Sequence, residues 1–179
     1  MKELSLHILD IAQNSYSAGA MEVRITLTDK GNLRTLTIAD NGRGMSADFL
    51  AQVTDPFTTT RTTRKVGMGL PLLRLSAEQT GGSLDVASTP GVGTTVTMRL
   101  HLDHIDCPPL GDMAGTIPLL VQGAPHVRLI YKREQDEGSY TFDTHEIHAV
   151  LGEEISLAEP EIVLWMTGYL NELEEELKP

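Results

Sequence analysis

Three short glycine-containing segments and the amphipathic helix before them constrain this chain more than any other feature. In order, the segments are Asp40 to Met45, Gly67 to Leu70 and Gly91 to Thr94, and the helix carries Asn14. Glycine tolerates positive φ and lets one backbone approach another closely, so each segment predicts a turn rather than the interior of a helix or strand. Each turn alone is a common structural feature, but their order and spacing predict that they meet around one cavity.

The hydrophobic pattern around these turns predicts an α+β fold. Leu4, Ile8 and Ile11 recur at helical spacing, and Gly19 stands where a helix would end. Period-two alternation predicts two hairpins, and helical spacing predicts two more helices: strands at 23–27 and 36–38, strands at 84–86 and 96–102, and helices near 46–53 and 69–80. Helices on one face of a mixed, mostly antiparallel sheet form a two-layer α/β sandwich, which we predict for residues 1–102.

Residues 103–179 form a second unit in this interpretation, a small acidic α+β appendage of unknown role. Its pattern predicts a helix from about Asp112 to Val121, two strands and two final helices. The strands fall at 127–132 and 140–142, and the caps of the last two helices are predicted at Asp143 with Glu146 and at Ser156 with Glu159.

Charge is unevenly distributed along the chain, whose formal net charge is −11. Residues 1–102 carry 10 Lys and Arg against 9 Asp and Glu, whereas residues 103–179 carry 4 against 16. Nucleic-acid binding needs clustered basic residues, so the second part argues against it and leaves a basic protein partner or simple solubility. The single cysteine and the lack of a ~20-residue apolar stretch predict a cytoplasmic protein without a membrane segment.

One face of the first helix carries His7, Asp10, Asn14 and Ser17 at helical spacing. The carboxamide oxygen of Asn14 is a ligand type that Mg²⁺ accepts beside phosphates and waters. A carboxylate one turn earlier, Asp10, could orient a water or an acceptor hydroxyl. Without the glycine segments, the polar face of a surface helix would be the simpler interpretation.

The first two glycine segments suit different parts of a nucleotide. Asp40 follows a strand directly, and its carboxylate could accept from the exocyclic amine of adenine, although Asn-Gly alone indicates only a turn. Gly67 to Leu70 opens a helix, whose free N–H groups and positive dipole end favour phosphate. The basic stretch Thr58 to Lys65 could close over bound phosphates, although a solvated loop would have a similar composition.

These residues resemble the GHKL superfamily of gyrases, heat-shock chaperones, histidine kinases and mismatch-repair ATPases. The resemblance is strongest to the ATP-binding catalytic domain of bacterial sensor histidine kinases, and it covers roughly residues 4–102. The segments that carry it are 55–61, 67–70, 80–82, Ser88 and 91–94.

The resemblance implies a role for each residue at the expected site, with ATP and Mg²⁺ as cofactors. Asp10 takes the place of the catalytic general base and Asn14 that of the Mg²⁺ ligand. Around the adenine, the resemblance places Asp40 at the amine, Gly42 and Gly44 as shapers of the pocket, Met45 against the ring and Thr94 at a bridging water. Around the phosphates it places Gly67, Met68, Gly69 and Leu70. Arg61 or Lys65 is the expected cation of the lid, the stretch Thr58 to Lys65 that would close over the phosphates.

The sequence also departs from the sensor-kinase pattern. Asp10 is one methylene shorter than the Glu of the hydrolysing branches, and Pro71 stands where kinases usually have glycine. Because the motifs begin at the start of the sequence, we expect no preceding helix pair with a phosphorylated histidine. The second part instead resembles short, free-standing histidine-kinase-like proteins of bacteria, some of them associated with hydrogenase or complex I-like gene clusters.

The expected function is therefore that of a free-standing protein kinase or slow ATPase that acts on a partner protein in trans. The alternative is a non-catalytic switch, in which ATP closes the lid and creates a partner-binding surface. A DNA-handling ATPase of the mismatch-repair type is disfavoured by the acidic second part. Homodimerisation is compatible with the sequence.

Overall fold

The computed structural model describes residues 3–54 and 69–178, and these residues form six helices and six strands. The helices are α1 Leu4–Ser17, α2 Ala47–Thr54, α3 Gly69–Gln79, α4 Met113–Gly123, α5 Thr144–Leu151 and α6 Pro160–Leu177. The strands are β1 Glu22–Lys30, β2 Leu33–Asp40, β3 Ser83–Thr89, β4 Gly93–His101, β5 Arg128–Gln135 and β6 Gly138–Asp143.

The six strands form a mixed sheet in the order β3-β4-β2-β1-β5-β6. Every neighbouring pair is antiparallel except β1 with β5, which run parallel. This arrangement confirms the predicted α+β class with a mixed, mostly antiparallel sheet. Both predicted hairpins, β1–β2 and β3–β4, are present.

Alternation along the strands separates a buried face of the sheet from a polar one. Val23, Ile25 and Leu27 are fully buried and belong to one hydrophobic core with the apolar residues of α1, α3, α4 and α6. The residues between them point to the opposite face, where Thr26 lies beside Thr37 and Thr37 beside Thr97, all partly exposed. The sheet therefore packs its helices on the buried face, as in a two-layer sandwich.

Helix α1 ends at the predicted place, and its ending positions the last turn over β2. Gly19 has φ +77° and its N–H donates to the Tyr16 carbonyl, while the Ala20 N–H donates to the Ser15 carbonyl. This pair of bonds is a Schellman ending, which glycine stabilises because it accepts positive φ without strain. The Ala18 carbonyl then accepts from the N–H of Arg43, so the helix end is tied to the loop after β2.

Strands from the second part of the chain continue the sheet of the first part. Residues Glu22 to Thr28 of β1 pair in register with Arg128 to Glu134 of β5. Helix α4 packs behind α1, where the Tyr16 hydroxyl donates to the Leu120 carbonyl at 2.8 Å. Burial of that hydroxyl raises the pKa of Tyr16 to about 12. The sequence-based division at residue 102 stays a prediction.

A buried ion network joins β1, β2 and β5. The carboxylate of Asp29 accepts two bonds of 2.7 Å from Arg34 and one of 2.8 Å from Arg133. Arg34 and Arg133 are only 8% and 2% exposed, so the network lies inside the protein. Burial by itself raises the pKa of Asp29, but the hydrogen bonds and charges of Arg34 and Arg133 outweigh it and lower the pKa below its usual value.

The two predicted caps in the second part have different outcomes. Asp143 caps α5, since its side chain accepts from the His145 N–H at 2.9 Å, as predicted. Ser156 does not cap α6: its hydroxyl accepts from the Ala158 N–H in the preceding turn, and α6 begins at Pro160. Proline suits the first helical position because its missing N–H would have no partner there.

Among the described residues, none of the helices has the length and apolar character that a membrane span requires.

Candidate functional site

A cavity of about 420 Å³ opens where α1, the ends of β2 and β4, α2 and the start of α3 converge. This volume is in the range of small-molecule binding sites, roughly 300–1,000 Å³. Apolar side chains form most of the wall, and a few polar groups are directed into it. The lining residues are Ile11, Asn14, Ser15, Ser17, Ala18, Ile38, Asp40, Arg43, Gly44, Met45, Phe49, Val53, Leu70, Thr94 and Val96.

Asp40 lies in this cavity at the end of β2 and is held by two donors. The Ser15 hydroxyl donates to its Oδ2 at 2.6 Å, and the Gly42 N–H donates to its Oδ1 at 2.8 Å. Each bond uses one lone pair, and an ionised carboxylate has about four acceptor positions. The carboxylate is therefore fixed in orientation while it keeps capacity to accept from a ligand amine.

The glycine turns interlock because their backbones lie too close for side chains. A Cβ on Gly44, whose φ is +71°, would overlap the Thr89 carbonyl oxygen. One on Gly93 would overlap the Asp40 carbonyl oxygen in the same way. The Gly91 N–H donates to the Arg43 carbonyl at 2.7 Å and closes the contact between the two loops. Gly42 is not among the lining residues; a Cβ there would overlap Ala18 at the end of α1 and crowd the Asp40 carboxylate.

Ser88 connects two of the expected adenine-site residues, Met45 and Thr94. Its hydroxyl accepts from the Met45 N–H at 2.8 Å, lies 2.8 Å from the Thr94 hydroxyl and contacts the Gly93 carbonyl at 3.2 Å. Met45 and Thr94 line the cavity, so Ser88 sets their positions without reaching the cavity itself.

Two of the four polar residues predicted on α1 reach the cavity. Asn14 and Ser17 line it, whereas His7 is 5% exposed within the fold and is not a lining residue. Asp10 is partly exposed one turn before Asn14 and is also not among the lining residues that the structure describes. The structure thus places the expected metal ligand at the cavity and the expected base beside it, toward the N-terminus of α1.

The predicted phosphate segment is only partly within the described residues. Gly69 begins α3 and Leu70 lines the cavity, so the N-terminal end of this helix is directed at the site. Pro71 lies in the first turn of α3, where a missing N–H removes no helical bond. Arg61, Lys65, Gly67 and Met68 lie outside the described residues.

The donor set fits Mg²⁺ bound mainly through a phosphate ligand. Across residues 3–54 and 69–178, no group of three or more His, Cys, Asp or Glu residues could hold a metal ion. Mg²⁺ commonly keeps several waters and takes one or two protein ligands beside substrate phosphates. Asn14 is the cavity residue with a neutral oxygen of this type, so it would hold the ion jointly with a nucleotide.

Ser15 was not predicted as a site residue, although it makes the shortest bond to Asp40. It is 3% exposed and lies on the apolar side of α1, four residues after Ile11. A hydroxyl in an otherwise apolar helix stripe is the signal that could have identified it, because a buried hydroxyl needs a partner.

Comparison with known proteins agrees with this geometry. Residues 1–104 match the family described as histidine kinase-, DNA gyrase B- and HSP90-like ATPase. The chain is 32% identical over 114 residues to the non-motile and phage-resistance protein of Caulobacter vibrioides, an alignment that covers 59% of this chain and 14% of that protein.

Two further relatives are named as sensor proteins. The sensor histidine kinase ZraS of Escherichia coli is 32% identical over 81 residues, covering 45% of this chain and 17% of ZraS. The sensor protein SrrB of Staphylococcus aureus is 32% identical over 105 residues, covering 56% of this chain and 18% of SrrB. The alignments span less than a fifth of the length of each of these relatives. The family match covers more than half of the present chain, which therefore belongs to the histidine kinase-, DNA gyrase B- and HSP90-like ATPase family.

Proposed function

We propose that this chain binds ATP with Mg²⁺ in the cavity and passes the γ-phosphoryl group to a partner protein in trans. Family membership supports ATP binding. The observation that carries the proposal is the Asp40 carboxylate, fixed by Ser15 and Gly42 at the wall of a cavity of nucleotide size. An oriented acceptor can select adenine, which offers an exocyclic amine, over guanine, which offers a carbonyl at the same ring position.

The other lining residues support a position for each part of the nucleotide. Met45 and Thr94, both fixed by Ser88, would flank the base beside Asp40. The triphosphate would extend toward Asn14 and the N-terminal end of α3, whose free N–H groups favour anions. Bound Mg²⁺ would neutralise the phosphate oxygens and polarise the γ-phosphoryl group.

Asp10 is the proposed catalytic residue. It lies one helical turn before Asn14, so an acceptor group near the γ-phosphate could meet its carboxylate. In phosphoryl transfer a carboxylate of this kind orients the attacking group and accepts its proton. Its side chain is one methylene shorter than that of Glu, so we expect hydrolysis of ATP by water to be slow.

Two properties of the partner protein are proposed: its acceptor residue, from the name of one relative, and its surface charge, from the acidic second part of this chain. One relative is named a sensor histidine kinase, which suggests a histidine as acceptor in the partner. The strongly acidic second part favours a partner with a basic surface. A hydrogenase or complex I-like system is the candidate that the resemblance to free-standing proteins suggests.

The decisive experiment follows the γ-phosphoryl group. Purified protein is incubated with γ-labelled ATP and Mg²⁺, with and without extract of the host cell, and label is measured on proteins and as free phosphate. We expect label on an extract protein. Asp10→Asn should abolish transfer but keep ATP affinity, whereas Asp40→Asn should abolish both.

Two results would contradict the proposal. Unchanged ATP affinity in Asp40→Asn would remove the adenine assignment. Tight ATP binding without label on any protein or in free phosphate would favour the alternative, a switch in which nucleotide changes a partner-binding surface. The contact between Tyr16 of α1 and Leu120 of α4 gives that switch a route from the site to the second part of the chain.

A further inference from the structure

Helix α6 presents an exposed face with an apolar centre and acidic ends. Glu161, Leu164, Trp165, Gly168 and Glu172 share this face at helical spacing, and all five are exposed. Leu164 is 73% and Trp165 44% exposed. We call these five residues the α6 outer face. Large apolar side chains that are exposed side by side mark interaction sites more often than isolated ones do.

The indole of Trp165 is held in place although it is exposed. It stacks on the ring of Tyr169, with centroids 5.5 Å apart and planes 12° apart. Tyr169 in turn lies 6.4 Å from the ring of Phe142, which is 1% exposed in the core. A ring supported from the core loses little conformational freedom when a partner covers its other side, and such rigid aromatic anchors dominate binding energy in interfaces.

Charge identifies the class of partner that fits this face. Residues 144–179 contain nine Asp and Glu residues and a single Lys or Arg, Lys178, which is paired with Glu175 at 2.6 Å. Glu161 and Glu172 lie at opposite ends of the face, with Leu164, Trp165 and the small Gly168 between them. A second copy of this chain would bring like charge against like charge, and nucleic acids and anionic lipids would be repelled in the same way.

We propose that the α6 outer face docks a basic amphipathic helix of a partner protein. An apolar residue of that helix would cover Leu164 and Gly168, an Arg or Lys would lie over the free face of Trp165, and flanking cations would meet Glu161 and Glu172. This inference rests on the proposed function in that it describes the partner protein named there. Docking itself needs neither ATP nor phosphoryl transfer, so the two proposals can fail separately.

Trp165 is the only tryptophan of the chain, so its fluorescence reports on this face directly. The probe is a synthetic helical peptide of about 18 residues, five turns, with Leu along one stripe and Lys and Arg on both sides. The control peptide keeps the Leu stripe and replaces each Lys and Arg by Glu. Both are titrated into the full chain without nucleotide, and calorimetry runs in parallel. We expect a saturable change in emission with the basic peptide alone, weakened by added salt.

Variants of the full chain test whether the basic peptide binds at the α6 outer face. Glu172→Gln should weaken the basic peptide roughly two- to five-fold, while the matched Glu137→Gln, an exposed charge on the β5–β6 turn, should leave affinity unchanged. Trp165→Ala should weaken binding measured by calorimetry about ten-fold or more. Leu164→Ser tests the face without disturbing the aromatic stack, and thermal unfolding checks that each variant is folded.

Several outcomes would overturn the proposal. No binding of the basic peptide up to about 1 mM would do so, as would equal effects of Glu172→Gln and Glu137→Gln, or equal binding of the acidic peptide. If sedimentation finds a dimer that Leu164→Ser dissociates, the occupant is a second copy of this chain and the proposed partner class is wrong.

Discussion

The orientation of the Asp40 carboxylate depends on Ser15, a residue of α1 that was not among the expected site residues. The Ser15 hydroxyl bonds to Oδ2 at 2.6 Å and also approaches the Ile11 carbonyl of its own helix at 3.4 Å. Helix α1 therefore contributes two neighbouring polar residues to the cavity wall, Asn14 and Ser15. The proposed recognition of the base and of the metal-bound phosphates would thus depend on consecutive positions of one helix.

We expect Ser15→Ala to raise the Kd of ATP roughly three- to ten-fold, because it removes the hydrogen bond that orients the Asp40 carboxylate. A hydrogen bond to a charged group contributes about 1.5 kcal/mol, and somewhat less where ligand and water reach the bond. Calorimetric titration with ATP measures the change. Ser139→Ala, which removes an exposed hydroxyl on β6, is the matched control and should bind as the parent does. An unchanged Kd in Ser15→Ala would show that Gly42 alone orients Asp40.

Among the helices and strands, the sequence predicts features that depend on neighbouring residues. It does not predict which strands and loops pair when they are far apart in the chain. The hairpins, the Schellman ending at Gly19 and the cap at Asp143 follow from patterns within a few residues. The parallel pairing of β1 with β5 joins strands about a hundred residues apart and leaves no local pattern. The interlocking of Gly44 with Thr89 is equally non-local. Glycine at each position indicated a turn, but only the folded chain shows which backbone lies against it.

We expect Gly44→Ala to destabilise the protein far more than Gly91→Ala. Both glycines have positive φ, +71° and +78°, so alanine costs each about 1–2 kcal/mol of backbone strain. A Cβ at Gly91 meets nothing within 4 Å, whereas one at Gly44 meets the Thr89 carbonyl, and such overpacking adds roughly 1–3 kcal/mol. Urea unfolding measures the difference. Equal losses would mean that the two loops are not packed as described.

The Asp29 network makes a second prediction about how elements are joined. Asp29→Asn leaves Arg34 and Arg133 buried without their counter-charge, so we expect a loss of about 3 kcal/mol or more in the free energy of unfolding. Asp85→Asn is the control, because its partner Arg99 and its own side chain are exposed at 46% and 73%. An exposed pair contributes about 0–1 kcal/mol. Similar losses in both variants would show that the network does not stabilise the sheet.

The pH dependence of stability should identify the same carboxylate. The pKa of Asp29 is lowered in the folded state: burial raises it, but Arg34 and then Arg133 outweigh the burial. A lowered folded pKa gives stability that is complete above the unfolded value, about 3.9, and is lost as the pH falls through the folded pKa. The urea midpoint of the parent should therefore drop steeply below about pH 4, and that of Asp29→Asn should drop less. Parallel curves would remove Asp29 as the cause.

At the scale of the whole molecule, the second part of the chain completes structures that the first part begins. It covers the edge of β1 with β5, supplies Arg133 to the Asp29 network and accepts the first N–H groups of α1, those of Leu4 and Ser5, on the Pro109 and Leu110 carbonyls. The family match ends at residue 104, so these contacts come from outside the matched segment. Composition and charge do not show which strands pair, so the sequence alone does not predict that β5 lies beside β1.

We therefore expect residues 1–102 alone not to fold to a state that binds ATP. Removal of residues 103–179 would expose the N–H and C=O groups along β1, leave Leu4 and Ser5 at the start of α1 without acceptors, and uncover the core side of α1 where Tyr16 meets α4. Circular dichroism, urea unfolding and calorimetry with ATP measure the result on the fragment. Addition of separately produced residues 103–179 should restore ATP binding if the parallel β1–β5 pairing re-forms. A fragment that unfolds cooperatively and binds ATP as the full chain does would establish residues 1–102 as an independent domain, and the shared sheet would then be an addition to a complete ATPase fold.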